Sequence, residues 1–262
     1  MGTNPLFRFT GLRAAALVFF AYLYVPIVIL IVLSFNANRT ATIWTGFSLD
    51  WYGRVLSNDD IIGAAQNSLI VAAAATAVAT LAATMAALGM SRARFRGQDA
   101  VQALLALPLV VPEIVTAVAT LLFFVIVGIQ LGLTSLIIAH TVFCIPFAYL
   151  PIRARLEGMD PLLEEAASDL YAPPWAAFRR ITLPLLWPGI LSGAMLAFII
   201  SLDDFVISYF VAGAGSTTLP VYIFGMIRIG ITPEVNAASS LMLVVSILFV
   251  SLAWLVGRAR SG

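Results

Sequence analysis

Six long apolar runs constrain the fold of this 262-residue chain more than any other feature of its sequence. Each run is long enough to cross the hydrocarbon core of a bilayer, which takes about 20 residues. Because the backbone finds no water in that core, the runs are expected to be helices. We therefore predict an all-α integral membrane protein with six transmembrane helices, and the lipid bilayer is its first predicted partner. The runs cover about Ala14–Ser34, Asn67–Met90, Ala100–Val127, Thr134–Ile152, Leu186–Ala212 and Ala237–Gly257.

The composition excludes several classes of protein. Hydrophobic residues make up 61% of the chain and charged residues 10%, whereas soluble domains are about half apolar and about a quarter charged. A soluble enzyme, a disordered chain and a nucleic-acid-binding protein are therefore excluded. All 14 basic residues are Arg, so the Lys of a phosphate-binding P-loop is missing. We expect no cofactor bound by this chain, with any ATP and Mg²⁺ held by a partner.

The distribution of Arg predicts the orientation of the chain in the membrane, because cytoplasmic loops carry an excess of positive charge. With the N-terminus in the cytoplasm, only Arg39, Arg54 and Arg228 lie in outer segments. Both termini are then cytoplasmic. The other Arg residues fall on the cytoplasmic side: Arg8, Arg13, Arg92, Arg94, Arg96, Arg153, Arg155, Arg179, Arg180, Arg258 and Arg260.

The cytoplasmic loop 153–185 carries the strongest motif. Residues Glu164–Leu186 read EEAASDLYAPPWAAFRRITLPLL, which predicts a helix, a break at Pro173 and Pro174, and a second short helix. That second helix places Trp175 and Phe178 one turn apart. Exposed aromatic side chains at this spacing are typical of a helix that binds in a groove of another protein.

This segment resembles the EAA motif of the permease subunits of ABC importers. Glu165, Ala166 and Ala167 match the start of the motif, and Ile181, Leu183 and Pro184 match its end. Tyr171 stands where the family has Gly. If that position requires a positive φ, Tyr is strained there by about 1 kcal/mol or more.

The resemblance implies a type I ABC-importer permease fold and a non-catalytic transport subunit. It implies a second, homologous but different permease chain, two copies of a cytoplasmic ATPase and a periplasmic substrate-binding protein, all at the bacterial inner membrane. The residues implied in coupling to the ATPase are Glu165, Ala166, Ala167, Asp169, Trp175, Phe178 and Pro184.

Four further segments are similar to the membrane subunits of spermidine/putrescine importers: NSLIVAAAATAVATL, LPLVVPEIV, SLDDFVISYFVAG and TPEVNA. This similarity implies that the chain forms half of the translocation path for a polyamine or for another cationic or nitrogenous solute. The predicted divisions are an anchor helix with an outer loop (1–65), a transmembrane core (66–257) and a tail (258–262). The outer loop contains Trp44, Trp51 and Tyr52, which favours a segment lying at the membrane interface.

Acidic residues occur deep within the apolar runs. Glu113, Asp203 and Asp204 each cost free energy in a membrane, about 2.5–3.5 kcal/mol for Asp at its centre. A passing cation would offset that cost, and Phe205 and Tyr209 could add cation–π contacts. We therefore predict Asp204, Asp203, Glu113 and Tyr209 in the substrate path. The alternative is that these carboxylates only stabilise helix packing.

Two details refine this prediction. In an unbroken fifth helix, Asp204 and Ser208 lie on a stripe of small residues that marks close helix contact: Gly189, Gly193, Ala197 and Ser201. Pro108 and Pro112 are expected to break the third helix, so Glu113 either lines a cavity or caps the second half-helix. His140 is expected to be a packed, hydrogen-bonded core residue.

Two other classes of protein remain as alternatives. An ion-coupled carrier would use the three acidic residues as proton or sodium sites, but six spans leave no inverted second half. An intramembrane enzyme would need a Ser–His pair around His140, yet no nucleophile elbow accompanies it.

Overall fold

The computed structural model describes residues 10–40, 43–92, 95–160, 162–230 and 232–259. Three of the Arg residues used to predict orientation, Arg8, Arg94 and Arg260, lie outside these ranges. Within them the chain is helical. The helices are α1 (Thr10–Ser34), α2 (Asp50–Ser57), α3 (Asp59–Arg92), α4 (Gln98–Val110), α5 (Glu113–Val127), α6 (Leu133–Glu157), α7 (Leu162–Asp169), α8 (Pro174–Ala177), a π-helical turn (Phe178–Thr182), α9 (Leu183–Asp203), α10 (Val206–Val211), α11 (Leu219–Ile229) and α12 (Pro233–Ala259).

The predicted membrane spans are confirmed by helix length and composition. In the described part of the chain, five helical segments are long and apolar enough to cross a bilayer, and α4 with α5 forms a sixth span if the bent pair is counted as one. The second span is longer than the apolar run suggested, because α3 begins at Asp59.

The third span is broken at Val111 and Pro112, where the two half-helices bend by 111°. Val111 is extended, with φ −75° and ψ 134°, as expected for a residue that precedes proline. Pro112 then precedes the first residue of α5. The predicted break is confirmed at Pro112, whereas Pro108 lies inside α4.

The fifth span is also broken, and here the assumption of an unbroken helix was wrong. Helix α9 ends at Asp203, and Asp204 is extended, with φ −64° and ψ 123°. Helix α10 restarts the span at Val206. The stripe was projected for an unbroken helix, yet Asp204 and Ser208 are both buried together with Ser201, as expected for residues at a close helix contact.

The small-residue stripe of α9 packs closely against α6. Gly189, Gly193, Ala197 and Ser201 are all buried. A Cβ atom added at Gly193 would lie 2.5 Å from the carbonyl oxygen of Ala148, far inside van der Waals contact. Small side chains let two helix backbones approach in this way, so the predicted close helix contact is confirmed.

The chain forms two compact units by its internal contacts, residues 1–59 with 223–245, and residues 60–222 with 246–262. The candidate site lies in the second. In the first, Trp51 is buried and its Nε1 donates a hydrogen bond to the carbonyl oxygen of Asn36 (2.8 Å). Trp51 therefore anchors the outer loop, and of the two Trp residues predicted at the membrane interface only Trp44 is well exposed.

Candidate functional site

Asp204 caps the helix that follows the break in the fifth span. Its side chain is buried, with 6% of the residue exposed. One carboxylate oxygen accepts from the backbone N–H of Ile207 (3.3 Å) and the other from that of Ser208 (2.9 Å). The first amides of a helix have no partner within the helix, and a carboxylate satisfies them well. Asp204 thus stabilises the start of α10.

His140 on α6 lies against this cap. Its ring is buried, with Nδ1 2.8 Å from the Ser201 hydroxyl and Nε2 3.0 Å from the Ser208 hydroxyl. Nε2 is also 3.4 Å from a carboxylate oxygen of Asp204. The prediction of a packed, hydrogen-bonded histidine is confirmed. Both hydroxyls are buried.

Glu113 meets the same cluster from the break in the third span. It is the first residue of α5, it is partly buried, and its side chain interacts with the carboxyl group of Asp204. The folded chain therefore brings together the two breaks that are far apart in sequence. Broken helices that meet around polar residues are typical of membrane transport proteins.

Asp203 and Tyr209 lie on the open side of the fifth-span break. Both are exposed in the isolated subunit, and 43% of the Tyr209 surface is accessible. The Tyr209 ring packs on that of Phe205, with ring centres 5.4 Å apart. Of the four predicted path residues, these two are thus exposed, whereas Asp204 is buried and Glu113 is partly buried.

The loop between α6 and α9 forms the second candidate region. Here Glu164 makes an ion pair with Arg92 at the end of α3 and accepts a hydrogen bond from the Thr182 hydroxyl. Arg92 also donates to Thr182 (3.3 Å). This three-residue network ties the loop to α3. Sequence reasoning missed it, and the only available signal was the opposite charge of Glu164 and Arg92.

The motif residues themselves are mostly exposed. Glu165, Ala166, Asp169 and Pro184 face outward, while Ala167 lies on the buried face of α7. The network to α3 therefore belongs to Glu164, and the neighbouring Glu165 is left on the accessible face.

Tyr171 ends α7 in the left-handed region, with φ 56°. The Tyr171 N–H donates to the Ser168 carbonyl (2.9 Å) and the Ala172 N–H to the Ala167 carbonyl (3.0 Å). This is the Schellman pattern, whose left-handed position is normally Gly. The family Gly is therefore replaced by a strained Tyr, as the sequence suggested for a positive φ.

Apolar side chains cluster around this turn. Tyr171 is 95% exposed, Leu170 81% and Trp175 69%. The Trp175 ring stacks on Phe178, with ring centres 5.6 Å apart. The predicted pairing of the two aromatics is confirmed. We call Leu170, Tyr171 and Trp175 the exposed apolar patch.

Replacing Tyr171 with Gly is expected to stabilise the turn after α7, because Gly adopts a positive φ without a steric cost. The gain should be about 1 kcal/mol in the local opening free energy. Hydrogen exchange at the Tyr171 and Ala172 amides measures it. Tyr171→Ala is the control, since it removes the ring but keeps Cβ. Equal exchange in the Gly and Ala variants would show that Tyr171 is not strained.

Most of the chain matches the model of one protein family. The model for "Binding-protein-dependent transport system inner membrane component" matches residues 79–261. The chain belongs to this permease family. The match includes both helix breaks and the loop between α6 and α9.

The permease resembles two groups of known transport proteins. It is 44% identical over 254 residues to the spermidine/putrescine transport system permease protein PotC of Haemophilus influenzae, covering 97% of this chain and 99% of that protein. It is 38% identical over 268 residues to the putrescine transport system permease protein PotI of Escherichia coli K12, covering 99% and 95%.

The fold is shared with a solved ABC importer. The crystal structure of a bacterial ABC transporter involved in the import of the acidic polysaccharide alginate superposes with a TM-score of 0.69 at 17% identity, over 99% of both chains. The predicted type I ABC-importer permease fold is therefore confirmed.

Proposed function

We propose that this permease forms half of the path by which an ATP-driven importer carries a polyamine across the bacterial inner membrane. The observation that carries the proposal is Asp203, an exposed carboxylate at a helix break within a membrane span. A charge in that position is costly unless it faces a polar path or a partner.

The groups around Asp203 suit an organic cation. Tyr209 and Phe205 offer aromatic faces at the same break, and such faces attract ammonium groups. Behind them lies the Glu113–Asp204 pair, in which one carboxyl group hydrogen-bonds the other, so the pair as a unit adds negative potential. A polyamine carries several ammonium groups separated by methylene segments, so it matches alternating carboxylate and aromatic contacts.

The names of the two relatives support this substrate class. Both are permease proteins of systems for putrescine or for spermidine and putrescine, and each is similar to this chain along nearly its whole length. Another cationic or nitrogenous solute remains the alternative substrate.

The proposed assembly contains three other chains and a soluble binding protein. A second, homologous permease completes the path, two ATPases bind at the cytoplasmic side, and a periplasmic protein delivers the substrate. Both termini of this chain are then cytoplasmic. ATP and Mg²⁺ bind the ATPases, and ATP-driven closure of these subunits moves the loop between α6 and α9, which rocks the helices between inward and outward access.

The exposed apolar patch is the proposed anchor for the ATPase. Its side chains lie on a loop that is too short to cross the membrane. We therefore expect the surface of another protein, and not lipid, to cover them. Glu165, Asp169 and Phe178 flank the patch along the same segment. A groove of the ATPase that takes this segment would transmit its movement to α9 through Pro184 in the first turn.

Replacing Trp175 with Ala is expected to weaken binding of the ATPase by about tenfold to a hundredfold, because a well-packed aromatic anchor contributes about 2 kcal/mol or more to an interface. The yield of ATPase that copurifies with the permease measures this loss. Trp187→Ala is the matched control, since Trp187 is a partly exposed Trp on α9 outside the loop. An unchanged ATPase yield in Trp175→Ala would contradict the docking proposal.

Uptake of labelled spermidine and putrescine by the reconstituted complex tests the function. We expect uptake that requires both ATP and the binding protein. Uptake without an ATPase would favour the ion-coupled carrier instead. Binding-protein-stimulated ATP hydrolysis without polyamine uptake would contradict the substrate while leaving the importer class intact.

A further inference from the structure

A buried histidine joins both sides of the break in the fifth span. His140 comes from α6, its Nδ1 lies 2.8 Å from Ser201 on α9, and its Nε2 lies 3.0 Å from Ser208 on α10. The three side chains are all less than 4% exposed. A single imidazole therefore contacts both helices at the break, close to Asp203 at the end of α9.

We propose that His140 is a positioning residue that holds α9 and α10 in the arrangement that turns Asp203 towards the translocation path. The inference rests on the proposed function, since it assigns Asp203 the substrate contact. His140 itself is covered by protein and touches no substrate. It acts through the hydroxyls of Ser201 and Ser208.

The break needs a stabilising contact of this kind because its backbone is not helical. Asp204 is extended, so the helical hydrogen bonds that would set the direction of α10 are interrupted. The carboxylate of Asp204 satisfies two amides of α10, but it belongs to the connection between the two helices itself. A contact from a different helix is required to orient α10 relative to α9.

The chemistry of the cluster favours one arrangement of protons. The Asp204 carboxylate accepts hydrogen bonds and lies 3.4 Å from Nε2, which favours a proton on Nε2 and leaves Nδ1 to accept from the Ser201 hydroxyl. The Ser208 hydroxyl is the second hydrogen-bond partner of Nε2. Since α6 also packs tightly on α9 at Gly193, His140 has a rigid base from which to hold α10.

Four variants of the full importer separate positioning from mere packing. His140→Leu keeps most of the volume but no polar atom, and His140→Gln retains an amide that reaches the position of Nε2. Ser208→Ala removes the contact on α10 with little change in volume. Ser192→Ala is the matched control, because Ser192 lies on the exposed face of α9 and bonds only to its own helix at Pro188.

The first measurement is the number of spermidine molecules imported per ATP hydrolysed by the reconstituted complex. We expect His140→Leu and Ser208→Ala to lower this ratio by about tenfold, as loss of a buried hydrogen bond to a charged cluster predicts, while complex yield and stimulated ATP hydrolysis stay near wild type. His140→Gln should restore most of the ratio, and Ser192→Ala should leave it unchanged. A proportional loss of yield, hydrolysis and uptake would overturn the positioning role.

The second measurement does not depend on the identity of the substrate. An Asp203→Cys variant that also carries Cys144→Ala at the buried native cysteine is labelled with a water-soluble thiol reagent. We expect His140→Leu to change the labelling rate by about tenfold, with His140→Gln close to wild type. An unchanged rate would overturn the inference even if polyamine uptake is confirmed, and a changed rate would support it even if the wild-type complex imports another solute.

Discussion

Replacing Asp203 with Asn is expected to lower ATP-dependent polyamine uptake by roughly thirtyfold or more, because removing one partner of a desolvated charge pair costs on the order of 2–5 kcal/mol. Asn has nearly the same volume and keeps a hydrogen-bonding side chain at the end of α9. The folded permease should therefore be retained. The loss should appear in uptake and not in the yield of assembled complex.

Two controls make the Asp203 result specific. Asp99→Asn removes an exposed carboxylate at the start of α4, away from the helix breaks, and is expected to leave uptake unchanged. Asp204→Asn should preserve one acceptor for the amides of α10 and lose part of the cap, so it should affect uptake and stability together. Normal uptake by Asp203→Asn would remove this residue from the path.

Replacing Gly193 with Ala is expected to abolish most of the folded permease. The new Cβ atom would lie 2.5 Å from the Ala148 carbonyl oxygen, which belongs to the backbone and cannot rotate away. Separating α6 and α9 to make room would cost about 1–3 kcal/mol or more. It would also disturb the contact of His140 with Ser201, about two turns further along α9. The yield of monodisperse permease in detergent and its unfolding midpoint measure the effect.

The same substitution at Gly89 is the matched control for Gly193. Gly89 lies within α3, and a Cβ atom there would have no neighbour within 4 Å. Because Ala favours a helix over Gly by about 0.5–1 kcal/mol, Gly89→Ala should leave stability equal or slightly higher. Equal yields of the two variants would show that the contact between α6 and α9 is not tight.

The spans and the loop motif could be predicted from the sequence because both depend on local patterns. An apolar run of about 20 residues has no alternative to a helix in lipid, and Pro173 prevents α7 from continuing through the loop. The strain at Tyr171 could also be anticipated, since the Gly of the motif marks a backbone position and the structure places φ at 56° there.

The fifth span shows where local patterns are insufficient. No proline marks the break after Asp203, and the apolar run continues through it, so the sequence did not predict that the helix is interrupted there. The break is stabilised by partners that are distant in sequence, above all His140, and by the capping of α10. Glu164 was missed for the same reason, because its partners Arg92 and Thr182 lie on other elements.

By itself, then, the sequence determined the helical class, the places of the apolar spans, the small-residue stripe and the position of the loop that resembles the EAA motif. These follow from the hydrophobic effect and backbone hydrogen bonding, which act on neighbouring residues. Only the tertiary structure decided that Asp203 is open and Asp204 is covered. A helix break leaves backbone amides without partners. The polar groups that satisfy them come partly from other helices, and they decide which side chains at the break are buried and which are exposed.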